Sequence, residues 1–272
     1  MKLVLGIMVL SICMLTSVSQ AGGKSTLSRG GLGFLFPDHN SFINPGQFAL
    51  DQGGAFQAGY DTASVLGFTV VSVTPSFVWG NGGRFGFGVY GNRAGISLTD
   101  STGYTDSVGA GMGVALVKEK LTLGLRGIRD LSTGATSDGT VGASLNLNGS
   151  KRNGFTAGVG VQTTLNQAVA ETRVATAALG YGFKSTSAVE AVATLNNIDD
   201  TNDWSMAGYL NLSGQMFYFS GGASYGNLLQ NTSVEGRAGF VLGNRFDVSA
   251  KVVYPLETGG IPVYGGTARL AF

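Results

Sequence analysis

The sequence predicts an all-β protein: a transmembrane antiparallel β-barrel of about fourteen strands, preceded by an N-terminal plug segment. Three observations lead to this prediction. Apolar residues alternate with small or polar ones at a period of two, tight and longer connections follow each other in turn, and glycine is abundant. Glycine supplies 45 of the 272 residues, which disfavours helices. Hydrophobic residues make up 43% of the chain, more than a disordered chain carries.

Residues 1–21 have the pattern of a cleaved signal peptide. Lys2 precedes an apolar run, and residues 19–21 end with the small residues that signal peptidase recognises. The alternative is a lipoprotein signal lipidated at Cys13, which the bulky Ile12 disfavours. Because Cys13 is the single cysteine, the exported part is predicted to have no disulfide and no cysteine nucleophile.

Charge and hydropathy restrict the class of the exported chain. Removing Lys2 from the 17 basic residues leaves 16, which equals the 16 acidic residues, so we expect no nucleic-acid partner. No uninterrupted apolar run of about 18 residues follows residue 21, so no membrane-spanning helix is predicted. A closed barrel is then the remaining way to span a bilayer. We expect a bacterial outer-membrane location, with outer-membrane lipid as a partner.

The predicted barrel covers residues 54–272. Its clearest strand is 140–148, where Val141, Ala143, Leu145 and Leu147 share one face. The same alternation also suits a soluble sandwich, in which the apolar face points inward. The predicted strands are centred near residues 57, 73, 88, 112, 125, 144, 159, 178, 192, 208, 221, 237, 250 and 267.

The connections favour the barrel, because a sandwich has no reason to alternate tight and longer ones so regularly. Aromatic residues also cluster at the ends of the predicted strands, as at the two interfaces of a membrane barrel. Tight connections are predicted at 81–83, 118–120, 149–153, 184–186, 213–215 and 243–245. Longer ones are predicted at 92–105, 129–138, 166–171, 197–203, 226–231 and 256–260.

The final strand places Tyr264, Leu270 and the terminal Phe272 on one face. This pattern resembles the C-terminal signal that the outer-membrane assembly machinery reads. We therefore expect that machinery as a partner and these three residues as the signal.

Residues 22–53 do not alternate and are punctuated by Gly and Pro, so we predict a plug inside the barrel. Here the chain resembles the FadL-type outer-membrane channels, through residues 31–33, Asn44-Pro45 and Gly59-Tyr60. The resemblance implies a hatch with an Asn-Pro element and a passive channel for hydrophobic small molecules such as fatty acids. The outer connections are shorter than in that family, which puts a high-affinity surface site in doubt.

Pro75 lies inside the second predicted strand, where it removes a hydrogen bond of the ladder. In FadL-type channels a strand kink opens a side window, so the resemblance implies a lateral opening near Pro75. The alternative is a local bulge without an opening.

Ionisable residues on the predicted inner face form a set with both signs of charge. The hypotheses are an ion-pair network that fixes register or anchors the plug, and a role in ligand or ion selectivity. The set is Arg126, Glu190, Glu235, Arg237, Asp247, Lys251 and Arg269. The glycines of 109–113 and 158–160 alternate within strands, so they are predicted to face the lumen rather than bind nucleotide.

No enzyme, cofactor or metal site is predicted. The only histidine, His39, lies in the plug, where it is poorly placed for catalysis at a barrel rim. Asp199, Asp200 and Asp203 share one connection and are interpreted as solvated rather than metal-binding. Two alternatives to the hydrophobic channel stay open: a general porin or structural barrel, and a secreted adhesin-like β protein.

Overall fold

The computed structural model describes residues 34–35, 44–50, 52–65, 68–95, 105–118, 120–132, 139–147, 154–165, 172–183, 187–214, 216–228, 230–243 and 245–272. The predicted signal peptide, Cys13 and His39 lie outside the described residues. So does most of the predicted plug, which as a unit remains a prediction.

Fourteen strands form the fold, and each predicted strand centre falls inside one of them. Their bounds are β1 Gln52–Val65, β2 Phe68–Asn81, β3 Phe85–Gly95, β4 Thr105–Val117, β5 Leu121–Asp130, β6 Gly139–Leu147, β7 Gly154–Leu165, β8 Arg173–Phe183, β9 Ser187–Leu195, β10 Trp204–Ser213, β11 Phe217–Gly226, β12 Asn231–Leu242, β13 Phe246–Pro255 and β14 Val263–Ala271.

The strands close into one antiparallel barrel in which each strand pairs with its sequence neighbours and β14 pairs with β1. Ala55 lies opposite Ala271 at this closure. Beyond it, the backbone N–H of Gly54 donates to the carbonyl of Phe272 at 3.0 Å, and the N–H of Phe272 donates to the carbonyl of Gly54 at 2.9 Å. The predicted fourteen-stranded antiparallel barrel is confirmed.

The outer and inner faces of the barrel wall differ in polarity, as expected for a barrel surrounded by lipid. Large apolar side chains point outward and are exposed, among them Met112 at 46%, Leu125 at 50% and Leu147 at 53%. Their strand neighbours point inward and are buried, as Thr122 and Asn146 are. A soluble sandwich would bury the apolar face instead, so this arrangement favours a barrel that spans a bilayer.

The connections separate into two rims. Five connections of three residues each lie on one rim, which we call the short-turn rim: β2–β3, β4–β5, β8–β9, β10–β11 and β12–β13. The β6–β7 connection and both ends of the barrel chain, at β1 and β14, lie on the same rim. The opposite, long-connection rim has one tight link that was not predicted, because only residues 66 and 67 separate β1 from β2. Gly82 and Gly83 have φ angles of 75° and 102°, so the tight β2–β3 turn depends on glycine.

Within the described part of the chain, the helical structure is a six-residue 3-10 helix, Pro45–Leu50. No helix among these residues has the length and apolarity needed to cross a membrane.

Candidate functional site

The centre of the candidate site is the internal segment, which we define as residues 34–35 and 44–50. Phe34, Leu35 and Phe48 are each at most 3% exposed. The 3-10 helix contacts the strands from β2 to β6. These residues therefore cover part of the inner wall rather than facing solvent.

Glycines on the inner wall admit the backbone of the 3-10 helix. A Cβ atom at Gly124 would lie 2.6 Å from the carbonyl carbon of Pro45 and 2.7 Å from the Cα of Gly46. A Cβ at Gly113 would lie 2.9 Å from the backbone nitrogen of Ala49. Real Cβ contacts are longer than this and backbone atoms cannot rotate away, so both positions require glycine.

A second glycine pair, on β7, receives the side chains of residues 34 and 35. A Cβ at Gly160 would lie 2.9 Å from the Phe34 ring, and one at Gly158 would lie 2.8 Å from Cδ2 of Leu35. Ala178 and the partly buried Val192 complete this apolar cluster. The room left by the inner glycines is thus occupied by the chain itself.

Two buried amides join the segment to β6. The Asn44 Nδ2 donates to the Asn146 Oδ1 at 2.7 Å, and the Asn146 Nδ2 donates back to the Asn44 Oδ1 at 3.0 Å. The Asn146 Nδ2 also donates to the Thr122 Oγ1 at 3.1 Å. Pro45, the second residue of the predicted plug element, follows as the buried first residue of the 3-10 helix. The N–H of Gly46 then donates to the Ser144 Oγ at 3.1 Å.

Glu190 binds the other part of the segment. One oxygen of its carboxylate accepts hydrogen bonds from the backbone N–H groups of both Phe34 and Leu35, each at 2.7 Å. Glu190 lies on β9 and is 3% exposed. A buried carboxylate needs hydrogen-bond donors of this kind. The N–H groups of the segment supply them, and Glu190 in turn supplies the acceptor that these buried N–H groups need.

The other inward charges form two groups on β12 to β1. In the first, the Arg269 Nε lies 3.0 Å from the Asp247 Oδ2, and both side chains are at most 5% exposed. The Tyr218 hydroxyl donates to the Asp247 Oδ1 at 3.2 Å. This pair lies on adjacent strands that meet next to the barrel closure.

In the second group, the Lys251 Nζ lies 2.9 Å from the Asp61 Oδ1 across β14. Glu235 interacts electrostatically with Arg237 and Lys251, and it hydrogen-bonds with the hydroxyl of Tyr209. The remaining predicted charge, Arg126, lies apart from both groups on β5 and donates to the Gln162 side chain on β7.

At Pro75 the ladder between β2 and β3 is interrupted without a bulge. Pairing passes from Val73–Arg93 to Ser76–Tyr90 with unchanged register, and Pro75 still lies opposite Ala58 on β1. On the far side of the gap stands Gly91, whose Cβ position is 3.9 Å from the Pro75 Cγ. The gap covers two positions on each strand, and Gly91 has no side chain there. Beside it, the hydroxyls of Ser72 and Thr74 donate to the Asn92 Oδ1 at 2.8 and 3.2 Å, so side chains still join the two strands.

An open recess of about 460 Å³ lies inside the long-connection rim, between β9 and β12. Polar and apolar side chains both line it, with the Asp203 carboxylate and the Asn196 and Asn231 amides at its rim end. The lining includes Val192, Thr194, Ser205, Ala207, Tyr209 and Ser224.

Asp199, Asp200 and Asp203 are not brought together into a metal site. Within the described residues, no group of three or more His, Cys, Asp or Glu side chains could hold an ion. Asp203 instead accepts a hydrogen bond from the Asn196 Nδ2 at 2.8 Å.

The residues of the predicted assembly signal lie on the outer face at the closing strand. Tyr264 is 54% exposed and Leu270 is 40% exposed. The Phe272 ring packs on Phe56 at a centroid distance of 5.5 Å.

Several residues of the site were not predicted from the sequence. They contact the internal segment or the inward charges from other strands, so their importance depends on register. They are Asp61, Thr122, Ser144, Asn146, Gln162, Tyr209 and Tyr218.

No family model matches the chain, and no curated protein matches it. Among solved structures, the toluene transporter TbuX of Ralstonia pickettii aligns with a TM-score of 0.63 at 14% identity, over 92% of this chain and 98% of that one. The monoaromatic hydrocarbon channel CymD aligns with a TM-score of 0.62 at 15% identity, over 93% and 98%. A mutant of the Rh. blastica porin aligns with a TM-score of 0.51 at 10% identity, over 81% and 99%. For the fold, the predicted resemblance to FadL-type channels is confirmed.

Proposed function

We propose that the protein is a passive outer-membrane channel for small hydrophobic molecules, with single-ring hydrocarbons as the preferred class. The observation that carries the proposal is the occupied inner wall. Residues 34–35 and 44–50 cover the glycines of β4, β5 and β7, which opposes free flow of water and ions. The solved structures named for toluene and monoaromatic hydrocarbons share the fold over most of the chain.

A solute would enter at the long-connection rim through the recess between β9 and β12. It would then pass the internal segment and leave sideways at the interrupted ladder between Pro75 and Gly91. Transport of this kind needs no covalent step. An apolar solute gains from leaving water for the bilayer at the side of the barrel, since its apolar surface is then removed from water.

The test is uptake of a labelled single-ring hydrocarbon by cells that produce the chain. We expect Pro75→Val to abolish uptake because valine restores the missing N–H to the ladder, while heat-modifiable migration in detergent electrophoresis shows a folded barrel. The control is Pro255→Val, at the rim end of β13, which should keep full uptake. Unchanged uptake in Pro75→Val would contradict the lateral route.

A porin is the second candidate, favoured by the inward charges Asp61, Glu235 and Lys251 and by the Rh. blastica likeness. It predicts stable single-channel conductance and swelling of proteoliposomes in a small sugar. The hydrophobic channel predicts no stable conductance and no swelling, and it predicts saturable binding of hydrocarbon or detergent.

A further inference from the structure

An aromatic cluster covers the outer face of the barrel where the chain closes, near the short-turn rim. The Phe56 and Phe77 rings lie 4.9 Å apart, and Phe77 continues to Phe87 at 5.9 Å. These rings point outward, because Phe56 lies opposite Leu270 and Phe77 lies opposite Val89, both of which are exposed. We call this set the aromatic plate; its members are Phe56, Phe77, Trp79, Phe85, Phe87 and Phe272.

Cations border the plate along the rim. Arg84, Lys118, Lys120 and Arg245 are all exposed, and none forms an ion pair within the described part of the chain. By sequence, the three connections that hold them contain one acidic residue, Glu119. This part of the rim is therefore positive, although the full sequence has a formal net charge of only +1.

These three connections are consecutive around the rim. The N–H of Ala271 at the end of β14 donates to the carbonyl of Arg245 at 2.6 Å. On the other side of the closure, the N–H of Ala115 at the end of β4 donates to the carbonyl of Arg84 at 2.7 Å. The cations thus form one arc directly beyond the aromatic plate.

On the opposite rim, the connection that precedes the second tryptophan is acidic. Residues 196–203 contain Asp199, Asp200 and Asp203 and no cation, and Trp204 follows at once. Its ring packs on Tyr225 at 5.8 Å. The two tryptophans of the chain therefore lie beside connections of opposite charge, although Arg173 of β8 borders the acidic one, where its carbonyl accepts from the N–H of Ile198 at 2.8 Å.

We propose that the aromatic plate and its four cations bind anionic phospholipid in the leaflet at the short-turn rim. Aromatic rings favour the headgroup level of a bilayer, and cations just beyond them meet the phosphates. Acyl chains cover the plate while the arc of cations pairs with the headgroup charge. Charge thus selects one lipid class on this side of the barrel.

The test measures quenching of single tryptophans by dibrominated lipids in phosphatidylcholine bilayers. The full chain is reconstituted as Trp204→Phe, which retains Trp79 in the plate, and as Trp79→Phe, which retains Trp204. We expect dibrominated phosphatidylglycerol to associate near Trp79 about five-fold more strongly than dibrominated phosphatidylcholine, the preference that one engaged cation gives. The preference near Trp204 should be absent.

Changing Arg84, Lys118, Lys120 and Arg245 to Gln together should remove the preference at Trp79. The matched control, Lys118→Arg with Lys120→Arg, keeps the charge and should keep the preference. High salt should weaken the phosphatidylglycerol preference near Trp79 in the protein that keeps all four cations. This comparison tests the proposal even if the four-residue variant does not fold. Equal quenching by both lipids at Trp79, or a preference that survives loss of the cations, would overturn the proposal. Protection of Trp79 from both lipids would show that a second copy or another protein covers the plate, and would overturn it too.

Discussion

Gly124 is the position at which the packing of the internal segment can be tested most directly. It lies on the inner face of β5, and a Cβ atom there would overlap backbone atoms of Pro45 and Gly46. Gly127, three residues further along the same strand, has no atom within 4 Å of its Cβ position. Gly127 has the outward parity of the exposed Leu125. Substituting alanine at each glycine therefore makes the same chemical change, with a steric clash on the inner face and without one on the outer face.

The expected difference in the free energy of unfolding follows from two effects. At an open position, Gly→Ala stabilises by about 0.4–1 kcal/mol because it restricts the unfolded chain. A methyl group forced into a filled space costs about 1–3 kcal/mol. Gly124→Ala should therefore be about 1.4–4 kcal/mol less stable than Gly127→Ala.

Urea unfolding in lipid vesicles, followed by tryptophan fluorescence, measures this difference. The clash can also be relieved in another way, because the 3-10 helix can move away from β5. In that case the loss of stability is smaller and single-channel conductance rises. If Gly124→Ala matched Gly127→Ala in both stability and conductance, residues 45 and 46 would not be packed on β5.

Three further substitutions test the remaining contacts of the inner wall. Asp247→Asn should lower the free energy of unfolding by about 3–5 kcal/mol, because the buried guanidinium of Arg269 loses the carboxylate charge 3.0 Å away. The more exposed pair is the control, since Asp61→Asn should cost less than about 1 kcal/mol. Glu190→Ala should speed amide hydrogen exchange at Phe34 and Leu35 by about 10- to 100-fold as their hydrogen bonds are lost, and equal rates in Glu190→Ala and Glu235→Ala would contradict it. Asn146→Ala should lower the free energy of unfolding, measured in urea, by about 1–3 kcal/mol, since the buried Asn44 Oδ1 loses its donor while the Asn44 Nδ2 keeps its bond to the Phe34 carbonyl.

The strands could be predicted because lipid outside and a crowded lumen inside impose a period of two on each of them. Prediction was weaker where a strand end carries polar residues. Residues 92–95 look like a loop in sequence, yet β3 continues to Gly95, and Arg93 lies 3.7 Å from Asp106 of β4. The two-residue connection after Val65 was missed because no polar run marks it.

The inner site could be predicted only in part, since its contacts join residues far apart in the chain. Glu190 was expected to face inward, but its partners are backbone N–H groups 155 and 156 residues away, which side-chain chemistry does not reveal. Asp61 was missed because the alternation along residues 58–61 is weak. Its partner Lys251 lies 190 residues away, so the pair follows only from the register of β1, β14 and β13.

The inner wall has two different regions, and their difference constrains how a solute can pass. On β4, β5 and β7 the glycines are covered by residues 34–35 and 44–50. On β9 to β12 the wall faces the recess and carries Tyr209 and Glu235. A high glycine content would suggest a wide pore, but much of the room it creates is filled by the chain. Widening the path therefore requires movement of the internal segment, which would break its hydrogen bonds to Glu190, Asn146 and Ser144 and that of the Gly83 N–H to the Ala49 carbonyl.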